Sequence, residues 1–410
     1  MAPKKSKIKQ ATNSGSALAV CEDLMLCILA RLPLKSICRF KSVCKHWNHL
    51  LSTQEFVKMQ FKLSSKFKNQ FFLVHRVNRN RSNTISVFNI ESNEKKAKIL
   101  DHPFDYTPVG VGVGIGVSIV GCCNGLVCVE RGQELVLWNP AMNLFKTPST
   151  LKDHTYIRRE SLGFGYNAEG DDFKVVRIVF LLEMQRLRKF VSCVEVYSVN
   201  SDSWTTIDPG FRFSELWFYW LDNNATVNVN GNPYWVGKVD EGGVIEKDLL
   251  ICFDMSKLVF KIVPLSSLDY NMTKLDKKFV DLNGSLGALV FTWKNEEMIE
   301  YVDLNGSLDA LVTTWKNEES IEYVDFWVFD DGEQIWTKSH RVGPIKVEMD
   351  RVLRILKDGR VLGKLPNGQL IVFNSDTECF EDLFNVGHDF FEIYEYTASL
   401  AYIQGRGVMH

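Results

Sequence analysis

The sequence predicts an α+β multidomain chain, with a small N-terminal helical module followed by an all-β propeller of six blades. Three observations carry that expectation. Residues Val20 to Phe61 place apolar side chains at helical spacing. Beyond Phe61 the texture changes to β-branched and aromatic runs separated by Gly, Asn and Asp. Within that longer region a single short motif recurs six times at intervals near fifty residues, which is the mark of a repeat architecture.

Residues 1 to 19 are polar and read as a disordered tail, with a basic cluster at Lys4, Lys5, Lys7 and Lys9. The 410 residues, 45% of them hydrophobic, suffice for two or three domains with a large core. A net charge of −2 gives no general attraction to nucleic acid or to an anionic membrane. No apolar segment near the start reads as a signal peptide, and the longest apolar run, Val109 to Cys123, holds five glycines and is too short to span a bilayer. A soluble protein of the cytoplasm or nucleus is expected. The ten cysteines form no C-x-x-C pair and read as reduced thiols.

In the helical module, residues Leu24 to Ala30 are apolar without interruption, between Glu22-Asp23 and Arg31. A helix apolar on every side must be covered on every side, and about forty residues cannot do that alone. Pro33 suits the start of a second helix carrying Leu34, Ile37, Cys38 and Phe40. A third helix is expected to line one face with Val43, Cys44, Trp47, Leu50 and Leu51. The spacing of Asp23-Leu24, Ile28-Leu29, Arg31-Leu32-Pro33, Lys35-Ser36, Arg39-Phe40, Val43-Cys44-Lys45 and Trp47 resembles the F-box. Val20 and Cys21 stand where that family usually has Leu-Pro. The resemblance implies docking to a Skp-type adaptor, and through it to cullin and RING subunits, by Leu24, Ile28, Leu29, Leu32, Pro33, Leu34, Val43, Cys44 and Trp47.

The repeated motif is an aromatic, a polar turn and a second residue seven positions on: Phe88 to Lys95, Trp138 to Phe145, Tyr197 to Trp204, Phe253 to Phe260, Phe329 to Trp336 and Phe373 to Phe380. Successive copies start 50, 59, 56, 76 and 44 residues apart. The interval of 76 contains a tandem duplication. Val280 to Tyr301 and Val302 to Tyr323 differ only at 287/309, 291/313 and 298/320. Removing those 22 residues makes the period regular, and a hairpin in each unit points to four-stranded blades set radially over about residues 70 to 405. Each motif supplies the two outer strands. Segments such as Ser118 to Val129, Ala225 to Gly237 and Leu353 to Val372 supply the inner ones, with Asn-Gly turns. Pairing of Phe71 to Arg76 with Thr397 to Gln404 is expected to close the ring, and the second copy of the duplication is expected to form a loop.

A second resemblance rests on GCCNGLVCV, LVLWNPAMNLFKTP, LGFGYNAEGDDFKVVRIV, VEVYSVNSDSW, VNGNPYWVGK, LICFDMSKLVFKIVPL and DFWVFDDGEQIWTK. In that order they resemble the plant F-box-associated, kelch-like interaction domain, a class extending to S-locus F-box proteins. With the F-box, this implies the substrate-recognition subunit of a ubiquitin ligase.

The links between blades should carry target binding, since function concentrates on loops held by a rigid scaffold. They are expected over Leu100 to Val117, Pro148 to Ser161, Pro209 to Asn224, Pro264 to Lys278 and Asp382 to Glu395. Phe211, Arg212, Phe213, Trp217 and Tyr219 are candidates, because aromatics and Arg dominate recognition hot spots. The alternative places those rings between blades three and four. Arg158 and Arg159 form a second candidate pair, for acidic targets.

No catalytic motif, cofactor loop or metal-ligand spacing is present in the sequence. Gly110, Gly112, Gly114 and Gly116 alternate along an extended chain instead of feeding a helix, and His46 and His49 near Cys44 lack an acidic ligand close in sequence. Two other functions stay open: a propeller lectin or enzyme with a regulatory F-box, and an adaptor-binding scaffold outside a ligase.

Overall fold

In the computed structural model the chain divides into two compact units between Lys66 and Phe67. The structure describes residues 22–66, 71–77, 83–91, 96–100, 117–132, 134–148, 158–183, 188–210, 217–221, 224–225, 227–240, 246–265, 268, 277–282, 284–293, 321–345, 348–349, 351–356, 358–374, 376–387 and 390–403. The basic tail, the alternating glycines and most of the second duplicate lie outside them.

The first unit holds α1 (Glu22–Leu29), α2 (Leu34–Lys41), α3 (Lys45–Leu50) and α4 (Gln54–Lys66). Glu22 and Asp23 sit in the first turn of α1, where the helix dipole favours negative charge. Pro33 is the N-cap of α2, one position earlier than expected. Leu29, Ala30, Ile37, Leu51 and Phe56 form its buried core. The expected third helix is corrected at its start. Val43 and Cys44 precede α3 rather than lying on it, because Cys44 is extended (φ −159°) and caps the helix, its Sγ accepting from Trp47 N at 3.5 Å. Val43 therefore points to solvent while Leu51 is buried.

The second unit is built blade by blade. The strands are β1 (Phe71–Val77), β2 (Asn83–Asn89) and β3 (Lys98–Leu100); β4 (Val117–Cys123), β5 (Leu126–Arg131), β6 (Glu134–Asn139) and β7 (Leu144–Lys146); and β8 (Arg158–Asn167), β9 (Asp172–Glu183), β10 (Arg188–Ser198) and β11 (Ser203–Ile207). After a bridging strand β12 (Trp217–Leu221) come β13 (Val227–Val229), β14 (Asn232–Asp240), β15 (Glu246–Asp254) and β16 (Val259–Val263). Then follow β17 (Lys277–Leu282), β18 (Ser285–Trp293), β19 (Ile321–Asp330) and β20 (Ile335–Val342), and β21 (Arg351–Ile355), β22 (Val361–Lys364), β23 (Gln369–Asn374) and β24 (Cys379–Asn385). The last strand, β25 (Phe390–Tyr396), joins the first blade in the order β25-β1-β2-β3. The result is a six-bladed β-propeller.

The six-copy motif sets the outer hairpins. Trp138 faces Phe145, Tyr197 faces Trp204, Phe253 faces Phe260, Phe329 faces Trp336 and Phe373 faces Phe380 as direct cross-strand partners. The first copy departs, since Val87 pairs with Lys98 and its turn is longer. In four copies the residue after the first aromatic is an Asn or Asp whose Oδ1 accepts from two backbone N–H groups of the turn: Asn139, Asp254, Asp330 and Asn374. The position five beyond the aromatic is left-handed in five copies without being glycine: Asn143, Asp202, Leu258, Gln334 and Glu378.

Apolar residues from neighbouring blades fill all six gaps of the ring, from the cluster of Val120, Phe164 and Tyr197 between blades two and three to that of Phe72, Phe88, Leu370 and Val372 between blades six and one. Near the axis, side chains of innermost strands cross to main-chain carbonyls of a neighbouring blade. Lys278 Nζ donates to Leu353 O (2.8 Å), Arg354 Nη2 to Ile393 O (2.8 Å), Tyr394 Oη to Ile119 O (3.1 Å) and Asn228 Nδ2 to Phe164 O (2.8 Å). They satisfy acceptors that an unpaired strand edge would leave open.

Closure differs from expectation. Phe71–Val77 pairs with Phe390–Tyr396, not with 397–404, and the expected link Asp382 to Glu395 is largely the strands β24 and β25. Residues 397–403 cross the Asn124-Gly125 turn instead, where Asn139 Nδ2 donates to Ser399 O (3.1 Å) and Ala401 O (2.8 Å). Gly125 is needed there: its φ is +81°, and a Cβ would lie 2.8 Å from Thr397 O.

Candidate functional site

In the helical unit, Leu24 is 56% exposed, Ile28 53% and Val43 64%. Leu24 and Ile28 are four residues apart, hence on one face of α1. Among the other candidates Pro33 and Cys44 are exposed, Leu32, Leu34 and Trp47 are half-buried, and Leu29 is buried. Trp47 rests on Phe40 with ring centroids 5.4 Å apart. The sequence reading of α1 as wholly apolar thus resolves into a buried side, at Leu29 and Ala30, and an outward side with no apolar cover in this unit. The helices are tied by His46 Nε2 to Glu22 Oε1 at 3.3 Å. Among the described residues no group of three or more His, Cys, Asp or Glu is placed to hold a metal.

In the propeller, Phe211, Arg212 and Phe213 lie outside the described residues. Trp217 and Tyr219 belong to β12, which corrects the expected loop. Its backbone pairs with β10 at Lys189 and Phe190 on one side, and with β14 from Gly237 to Asp240 on the other. Blades three and four are thereby stitched into one nine-stranded sheet. A run of four consecutive aromatics has high strand propensity, and here it finds two open edges. Arg158 and Arg159 are likewise not on a link. They open the innermost strand β8, opposite Leu181 and Phe180.

The sequence reading missed a carboxylate cluster between blades two and three. Arg177 donates to Glu160 (2.5 Å) and Glu195 (3.0 Å), while Glu130 accepts from Ser118 Oγ at 3.2 Å. Burial, and then the neighbouring Glu160, push the Glu130 carboxyl up to about 7. The groups come from β5, β8, β9 and β10, so no local spacing announces them.

Comparison with known proteins fits both units. Residues 18–59 match the F-box domain, and residues 70–283 match the F-box associated beta propeller domain. The chain belongs to the F-box-associated β-propeller family. Similar proteins from Arabidopsis thaliana include the F-box/kelch-repeat protein At3g17530, 27% identical over 255 residues (61% of this chain, 61% of that protein), and the F-box protein At1g66490, 28% identical over 232 residues (56% and 55%). This chain thus spans about three fifths of the length of these relatives. Among solved structures, an oligogalacturonate lyase in complex with manganese aligns with a TM-score of 0.38 at 10% identity, covering 77% of this chain and 78% of that one. The ulvan lyase of a polysaccharide lyase family aligns with a TM-score of 0.35 at 12% identity, covering 77% and 70%. Among the described residues of this F-box protein no helix is long and apolar enough to cross a membrane.

Proposed function

We propose that this F-box protein is the substrate-recognition subunit of a Skp/cullin/F-box ubiquitin ligase, working in the cytoplasm or nucleus. The observation that supports the reading best is the uncovered apolar face of Leu24, Ile28 and Val43 on a module matched as an F-box. Each of these side chains is already about half covered, so burying the rest against a Skp-type adaptor would contribute about 1–2 kcal/mol each before the cost of association. The propeller holds a target protein, and the complex places target lysines near a ubiquitin-loaded conjugating enzyme. Tethering supplies effective concentration, so the chain needs no catalytic group of its own. The nine-stranded sheet of blades three and four, with Trp217 and Tyr219 on β12 and Arg158 and Arg159 on β8, is the proposed target face; Phe211, Arg212 and Phe213 remain candidates.

The test is affinity purification of the full chain from cells, read for adaptor, cullin and RING subunits and for ubiquitin transfer by the recovered complex. Recovery of all three with ligase activity is expected. Adaptor without cullin would mark a scaffold outside a ligase, and neither would contradict the proposal.

A further inference from the structure

The innermost strand β21 carries a bulge at Leu353: Val352 lies opposite Gly363, and Arg354 opposite the adjacent Leu362. Arg351 faces Lys364, two positions from Leu362, so the extra residue brings Arg351 and Arg354 onto one face although they are three apart in sequence. Lys278, from the innermost strand of the preceding blade, reaches the bulge itself, its Nζ 2.8 Å from Leu353 O and 3.4 Å from Val352 O. Arg354 gives one donor to Ile393 O. Arg351 is exposed, and Lys278 and Arg354 are half-buried.

Among the described residues none of these three cations forms an ion pair. Glu392 acts on Lys278 and Arg354 through space, and Glu395 on Arg354, without an ion pair to either cation; Glu392 accepts from Tyr394 Oη at 2.7 Å and stands 3.8 Å from His75 Nδ1. The cations act on one another: burial first, then Arg354 and Arg351, hold the Lys278 amine well below its ordinary range. Lys278 and Arg354 bond main-chain carbonyls alone; like charges so gathered are costly to keep together, and a bound anion would relieve that cost.

We propose that Lys278, Arg351 and Arg354 form an anion site at the inner edge of blade six, between its neighbours blades five and one, which takes a phosphate or carboxylate group of an acidic ligand. Two guanidinium forks beside an ammonium group suit an oxyanion with several acceptor oxygens. The site does not depend on the adaptor reading, because every residue in it belongs to the propeller.

The experiment is calorimetric titration of the full chain with inorganic phosphate and, separately, with a hexaglutamate peptide. Both are run against sodium chloride at matched ionic strength, for the unmodified protein and for Arg351→Gln and Arg354→Gln. Saturable binding of phosphate or peptide, weakened at least tenfold by either substitution, is the expected result. Phosphate alone binding assigns a phosphate ligand, and peptide alone a carboxylate one. Arg351 is exposed, so its variant keeps the fold if Arg354→Gln does not. No saturable binding in either arm, a chloride response of equal size, or binding unchanged in Arg351→Gln overturns the proposal.

Discussion

Gly287 lies directly beneath the side chain of Leu282: a Cβ added to it would stand 2.6 Å from Leu282 Cγ and 3.3 Å from Trp327 O. The equivalent residue in the second duplicate is Asp309, and the equivalent of the buried Phe291 is Thr313. The inner hairpin of blade five therefore fits the first copy and rejects the second. Deleting 302–323 takes away Ile321 and Tyr323, which pair with Trp293 and Thr292 of β18, but Ile299 to Tyr301 replace Ile321 to Tyr323 letter for letter. Its melting transition should stay close to that of the parent. Deleting 280–301 yields a chain differing at only three positions, and should cost about 3–5 kcal/mol from the lost Phe and the crowded Asp. Equal melting temperatures for the two deletions would refute the assignment.

Asn139 is fully buried and uses both ends of its amide, accepting from Ala141 N and Met142 N while donating to Ser399 O and Ala401 O. Asn139→Ala should lower stability by about 2–4 kcal/mol in denaturant melts, since buried partners are left unpaired. Asn139→Asp keeps the turn but sets a carboxylate against two carbonyls. Its penalty should shrink in a chain ending at Tyr396, and a penalty independent of residues 397–403 would argue against the pinning role.

Glu130 gives a pH signature. Its carboxyl is raised from 4.5 to about 7, so its contribution to stability is complete below about pH 4.5 and is lost as pH rises through about 7. Glu130→Gln should gain about 1–2 kcal/mol at pH 8, discounted for partial burial, and almost nothing at pH 4.5. Chemical denaturation across that range measures it, and a gain that does not vary with pH would exclude the linkage.

The left-handed turn position is a reserve of stability. Gln334 has φ +58° and is exposed. Gln334→Gly should raise stability by about 0.5–1 kcal/mol, because glycine removes the Cβ penalty and recovers more than its own chain entropy costs. A loss in thermal melts would show that the hydrogen bond from Gln334 Nε2 to Asp331 O outweighs the strain.

What was legible in the sequence is what repeats locally. The seven-residue spacing from Trp138 to Phe145 marks two facing residues of one hairpin, so counting it counts blades. The apolar run at Leu24 to Ala30 marks a helix needing cover. Relations set by ring closure left no such trace. Both β25 and the 397–403 segment are short and β-compatible, and only the register of Phe71 with Tyr396 distinguishes the strand from the crossing segment. Residues 217–221 read as a link because they fall between two repeats, and their pairing depends on the long ends of β10 and β14. The candidate docking residues were read from the sequence as one apolar set. Which of them face outward was not, because Leu29 and Ile28 are equally apolar neighbours and only the packing of α1 against its own unit separates them.

The central claim is that the outward face of the F-box is a docking surface. The most direct measurement is the affinity of the full chain for a purified Skp-type adaptor, by calorimetry, beside a variant carrying Leu24→Asp and Ile28→Asp. Both positions are more than half exposed, so the unit should fold in either form. We predict micromolar or tighter binding by the parent and a loss of about 100-fold or more in the variant, as two desolvated apolar anchors imply. No binding by the parent, or equal binding by both, would contradict the account.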